Sequence, residues 1–220
     1  YYLGENYIDW EKPGITLEIL RLLEGRLNIK IRFKRMPWKR ALAMVEFNLV
    51  DGIFHASFKP ERMNVGVYPM QFGTVDHSRR IMKNSYVLYK MKGSPLQWDG
   101  NKFSNLSGYI GATLGYAIVS DLKNMGVSTK EGITQLANLN KLVVNSLAGV
   151  AALETMMDLH IRGNPKKFTD VVKVSPPLNT KDYYLMLSHL FVKQNPELSE
   201  VIWDSIRDIK TSGVFSELEK

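Results

Sequence analysis

Between Pro37 and Arg62, PWKRALAMVEFNLVDGIFHASFKPER, the chain brings an indole, a serine hydroxyl and a guanidinium onto neighbouring elements. Trp38 offers a flat apolar face. Arg62 offers a planar, permanently charged fork of donors. A site holding both would suit a small molecule with a carboxylate and a body to stack on. Arg62 follows an apolar run and the loop Ser57-Phe58-Lys59-Pro60-Glu61. It is either a surface arginine paired with Glu61 or a carboxylate clamp completed by Ser57 and the loop amides. Trp38 and Tyr2 are either core aromatics or the two faces of such a site.

Other groups carry weaker signals. Gly115-Tyr116-Ala117 stands where a strand turns into a helix, and helix N-termini present amides to anions. A turn needs glycine in any case. The spacing of a phosphate loop is missing. Glu154 sits within the apolar run GVAALETMM. It is either on a solvated helix face or a clamp for a cationic amine. His55, His77, His160 and His189 show no metal-ligand spacing, so no metal site is expected. No nucleophile elbow appears. The chain has no cysteine, which excludes disulfides and thiolate chemistry, and its ten methionines read as core filler. Nothing here compels an enzyme or a cofactor.

The elements that must position these groups fall into two sets. Pro13-Gly14 opens a helical pattern that runs to Leu27. Ile29 to Met36 alternates apolar and basic residues, as a half-exposed strand does. Pro37 breaks it, a short helix follows with Ala41, Leu42 and Val45, and Val50 to Phe54 reads as a buried strand. Strand, helix, strand is the unit of a parallel sheet. An irregular passage covers Lys59 to Arg80. Ile81 to Lys90 predicts a strand, and Gly93 to Gly108 a surface connection. Tyr109 to Thr113 predicts a strand and Ala117 to Asn124 a helix stopped by Gly126. A short helix over Gly132 to Asn138, a strand-like Leu142 to Val144 and a helix over Ala148 to Ile161 follow. Val171 to Val174, ended by Pro176-Pro177, and Tyr183 to Ser188 predict two strands. Asn195 is expected to cap a helix starting at Pro196 and ended by Gly213, with a last helical turn to Lys220. Two α/β lobes result, with ligand expected outside strand ends or between lobes.

At 220 residues, 45% hydrophobic and 23% charged, the chain suits one large domain or two small ones. No apolar run approaches the ~18 residues of a membrane span. The first residues, YYLGENYIDW, do not form a signal peptide, as in a mature protein from which one has been removed. The net charge is +7 and the pI about 9.4. The tightest basic cluster is Lys30 to Arg40, and no nucleic-acid reader motif accompanies it, so a nucleic-acid partner is not expected.

Six motifs in order resemble the extracellular solute-binding proteins of family 3, the type II periplasmic proteins of polar amino acid transporters. Pro13-Gly-Ile-Thr-Leu-Glu-Ile is similar to the family's opening helix, and Pro37-Trp-Lys-Arg-Ala to a subgroup signature. Val50-Asp-Gly-Ile through Glu61-Arg62, followed by Tyr68-Pro69, is similar to its arginine segment. Gly108-Tyr-Ile-Gly-Ala-Thr-Leu-Gly-Tyr is similar to the entry to the second lobe. Asn195-Pro-Glu-Leu and Ile209 to Leu218 are similar to the closing helices. The resemblance implies an α/β, two-lobe clamshell with two hinge crossovers, lobe one at 1–82 and 184–220 and lobe two at 83–183. It implies a periplasmic, monomeric protein that captures a small carboxylate-bearing, amino-acid-like solute and hands it to the membrane permease of an ABC transporter. Alternatives on the same fold are a sensor domain and a dehydratase-like enzyme. Carried over by position, Arg62 would bind the carboxylate, with Ser57 and His55 in the same segment. Tyr2 and Trp38 would sandwich the ligand body. Tyr116 and Ala117 would stand at the second-lobe helix start, and Glu154 near the acidic residue for the amine. The chain departs from the pattern where Lys59-Pro60 replaces the usual threonine and Asn145-Ser146-Leu147-Ala148 replaces an arginine and an acid.

Overall fold

The computed structural model describes residues 14–212. Tyr2, Gly213 and the expected last helical turn therefore lie outside the described residues. Along the chain run α1 (Ile15–Leu27), α2 (Trp38–Glu46), β1 (Gly52–Ser57), a 3-10 turn at Pro60–Asn64, β2 (Met70–Gln71) and β3 (Thr74–Val75). A second 3-10 turn at His77–Arg79 precedes β4 (Met82–Met91), β5 (Gln97–Trp98), β6 (Phe103–Ser104) and β7 (Ile110–Thr113). Then come α3 (Ala117–Asn124), β8 (Thr129–Gly132), α4 (Gln135–Val143), β9 (Gly149–Leu153) and α5 (Glu154–Gly163). The long β10 (Val171–Leu187), α6 (His189–Gln194) and α7 (Pro196–Thr211) follow. The chain divides into two compact units, one taking the chain up to Lys83 and from Asp182 on, the other Asn84–Lys181. The chain passes from one unit to the other within β4 and again within β10.

In the first unit α1 and α7 supply most of the core. Ile19, Leu20 and Leu23 meet Ile202, Ile206 and Ile209, with Phe54 and Ile81 completing the cluster. These positions recur at three and four residues, so each helix buries one stripe. β1 pairs antiparallel with the end of β10, Gly52 opposite Leu187 and Ser57 opposite Tyr183. The expected parallel unit is thus corrected. Ile29 to Met36 does not form a strand with β1; it alternates half-buried and exposed residues, and only Met36 makes a bridge. Its apolar members Ile29, Ile31 and Phe33 still pack on the core, which satisfies the period-two pattern without a described ladder. The short helix begins at Trp38, with Pro37 as its N-cap residue at φ −58° and ψ 146°.

In the second unit β7 lies between β8 and β9, parallel to both, and β4 runs antiparallel to β9. Val87, Tyr89, Leu139, Leu142, Leu147 and Val150 form its core. Three expectations are corrected here. Residues 148–161 are not one helix. Gly149–Leu153 is a strand, and only from Glu154 does the chain turn helical. The apolar run is buried on both faces as a sheet interior, and such a run cannot be told from a buried helix by period alone. Residues 129–132 are a strand, and the helix that follows takes in Leu142 and Val143. Lastly, the two strands expected on either side of Pro176-Pro177 are one strand of 17 residues. Ser175, Pro176 and Pro177 are exposed there, where a missing N–H donor does not harm a sheet interior. In α7, Pro196 opens the helix as expected, but the Asn195 side chain donates to the Phe191 carbonyl at 3.2 Å instead of capping.

Candidate functional site

Three of the expected residues meet at the end of β1. Arg62 lies in the 3-10 turn Pro60–Asn64, which its own carbonyl helps close by accepting from Val65 and Gly66 at 2.9 and 3.1 Å. Its Nη1 donates to both the carbonyl and the hydroxyl of Ser57, each at 2.9 Å. Its guanidinium carbon stands over the Trp38 ring, 5.3 Å from the centroid. That distance is within cation–π range. Arg62 is 8% exposed, Trp38 5% and Ser57 2%. The guanidinium is therefore a buried, planar charge with its orientation set on one side by a strand end and on the other by an indole face. The surface-arginine alternative does not describe it.

Tyr68 was not singled out for the site in the sequence, yet it completes this arrangement. Its hydroxyl donates to the same Ser57 carbonyl at 3.0 Å. Phe58 and Tyr184 both meet its ring edge-on, at centroid distances of 5.3 and 5.9 Å. Burial pushes the Tyr68 phenol up to about 12, so it remains a donor at any ordinary pH. Tyr68 follows Arg62 by six positions, and no periodicity links the two; the 3-10 turn and the Val67–Leu187 bridge bring them together.

His55 lies in β1 but faces another group. Its Nε2 is hydrogen-bonded to Thr16 Oγ1 at 2.7 Å, and its ring stands edge-on to Phe54. Burial pushes its imidazole down to about 4. Its backbone has φ +62°, and the β1–β10 register shifts between Ile53 and Ala56. Thr16 in the first turn of α1 is a second residue that gave no signal in the sequence, being 39 positions away.

The remaining expected residues belong to the second unit. Tyr116 precedes α3 as its N-cap position, is buried, and meets Tyr86 at a centroid distance of 6.4 Å. Ala117 is the first residue of α3 and is buried. Glu154 opens α5, and its carboxylate accepts from Lys173 at 2.8 Å. Lys173 also reaches Asp158 at 2.6 Å, and Tyr89 donates to Asp158 at 2.6 Å. These hydrogen bonds, with Asp158 the larger contributor, raise the Lys173 ammonium above its usual range. Glu154 is thus part of an ion-pair cluster around one lysine. Among the described residues no group of three or more His, Asp or Glu is placed to hold a metal ion.

A model of the bacterial extracellular solute-binding proteins, family 3, matches residues 6–220. The chain belongs to that family. No protein with a curated description matches it. Among solved structures, a histidine kinase sensor domain with similarity to periplasmic binding proteins has a TM-score of 0.79 at 13% identity, over 99% of this chain and 90% of that one. The GluR0 ligand-binding core from Nostoc punctiforme, in complex with L-glutamate, has a TM-score of 0.74 at 15% identity, over 99% and 94% of the two chains. An ancestral arginine-binding protein bound to arginine has a TM-score of 0.74 at 18% identity, over 93% and 85%. At such identities these likenesses establish the fold: this family 3 protein is a type II periplasmic-binding-protein-like α/β chain.

Proposed function

We propose that this family 3 protein captures a small carboxylate-bearing solute, amino-acid-like in size, and that Arg62 grips the carboxylate while Trp38 packs against the ligand body. The observation that carries the reading is the buried guanidinium of Arg62, aligned over the Trp38 ring and fixed by both oxygens of Ser57. A carboxylate binds a guanidinium best when the planar fork is already oriented, because little side-chain freedom is then lost. The glutamate and arginine complexes among the structural neighbours fit a ligand of this class. The protein performs no chemistry in this reading. It acts outside the cytoplasm and delivers its ligand to an ABC permease.

The test is calorimetric. The twenty L-amino acids are screened by thermal shift, and any that stabilises the protein is titrated into wild type and Arg62→Ala. Breaking a desolvated charge pair removes about 2–5 kcal/mol, so the variant binds at least ~30-fold more weakly. A folded Arg62→Ala protein with unchanged affinity removes Arg62 from the site.

A second reading, sensing, is favoured by one observation, the similarity to the histidine kinase sensor domain across 99% of the chain. Deleting the gene separates the two. Lost uptake of the ligand supports transport; intact uptake with a lost transcriptional response supports sensing.

A further inference from the structure

Lys30, Arg32, Lys34, Arg35, Lys39 and Arg40 lie within eleven residues that hold no acid, and they account for all but one unit of the net charge of +7. All six are exposed. None of them forms an ion pair with a described residue, whereas the other arginines of this unit's surface are matched: Arg26 to Asp208 at 3.1 Å, Arg79 to Glu200 and Arg207 to Asp204 at 2.7 Å each. Three acids of α7, Glu200, Asp204 and Asp208, are therefore spent elsewhere. The strip is also held in place. Ile29, Ile31 and Phe33 alternate with the cations and pack on the α1–α7 core, Phe33 edge-on to Phe54 at 6.4 Å. The amide of Ile31 donates to the Glu24 carboxylate at 2.6 Å. With the apolar members inward, the period-two alternation turns Lys30, Arg32 and Lys34 to water together.

We propose that this strip docks the protein on an anionic phospholipid surface. A row of exposed point charges with no compensating acid among the described residues suits a fluid array of phosphates, which needs no fixed geometry from its partner. Single-stranded nucleic acid would call for exposed aromatics to stack its bases. Here Phe33 faces the core and Trp38 is buried against Arg62. The family is extracellular, and the lipid phosphates of the membrane it works beside are the polyanion within reach. Lys30, Arg32, Lys34 and Arg35 precede both Trp38 and the Ser57–Arg62 turn in sequence, so they can be substituted without touching the residues proposed to hold a solute.

The experiment uses the purified protein with phosphatidylcholine vesicles, with and without phosphatidylglycerol. The protein co-sediments with the phosphatidylglycerol vesicles alone, and its partition falls as salt is raised. A basic residue near such a surface contributes about fivefold in partition, so Lys30→Gln/Arg32→Gln/Lys34→Gln/Arg35→Gln lowers it by roughly 10²–10³-fold with an unchanged melting curve. A control, Lys141→Gln/Arg162→Gln/Lys166→Gln/Lys167→Gln, removes the same charge from exposed positions of the other unit and keeps most of the binding. Absence of vesicle binding overturns the proposal. So does an equal loss in both variants, which would make net charge the cause, or a preference for single-stranded DNA over vesicles at equal salt.

Discussion

His55 makes the stability of this protein fall in mild acid, and the size of the effect follows from its surroundings. Burial pushes the imidazole down to about 4. In the unfolded chain it titrates near its ordinary value, about 6.5. Between these values the unfolded state binds more protons than the folded one, so acidification favours unfolding. The contribution is fully present above the unfolded value and is lost as the pH falls from there toward 4. The separation sets a limit of about 3 kcal/mol, and about 2 kcal/mol is already gone at pH 5. Urea denaturation of wild type and His55→Asn at pH 7, 6 and 5 measures it. Asparagine accepts the positive φ and does not titrate. At pH 7 the variant is less stable by about 1 kcal/mol for the missing Thr16 bond. Between pH 6 and pH 5 the two curves cross, because wild type alone loses about 2 kcal/mol while carboxylates elsewhere act equally on both, so the variant is the more stable by about 1 kcal/mol at pH 5. Parallel curves across that range would refute the argument that the ring is held neutral by burial.

Two further substitutions test the frame of the site. A Cβ on Gly66 would lie 2.7 Å from the Leu187 carbonyl and 3.1 Å from Val45; the backbone there cannot yield, so Gly66→Ala costs about 2–3 kcal/mol by chemical denaturation. Phe72, 97% exposed, holds φ +49° beside Gly73 at φ +79° at the tip of the β2–β3 hairpin. Asn-Gly is the preferred pair for that turn, so Phe72→Asn stabilises by about 1 kcal/mol, read as a raised urea midpoint with unchanged slope.

What the sequence disclosed depended on the reach of the interaction. α3 was legible to the residue, since its apolar stripe and the stop at Gly126 are local. Trp38, Ser57 and Arg62 were legible as a set because one loop, one short helix and one strand carry all three within 25 residues of chain. The boundary between β9 and α5 was hidden by an apolar run that continues across it, and β8, TKEG, has no apolar pattern to betray it. Thr16 and Tyr68 were invisible as partners because their bonds to His55 and Ser57 depend on how β1 is laid against α1 and β10, and that is a tertiary fact.

The strain at His55 and the charge at Arg62 belong to one device. From Ile53 to Ala56 β1 advances three residues while β10 moves only two, Met186 to Tyr184. That extra residue is a bulge, and His55 takes it up in the left-handed region. Side chains alternate along a strand, so one added residue reverses the face of everything after it. Without the bulge, Ser57 would turn away from the 3-10 turn and could not present its hydroxyl to Arg62. A non-glycine residue in that conformation costs about 1–2 kcal/mol. The Thr16 bond and the Phe54 edge contact offset that cost locally. The strained residue therefore sits two positions ahead of the serine whose orientation it sets, and that serine in turn holds the Arg62 guanidinium over the Trp38 ring.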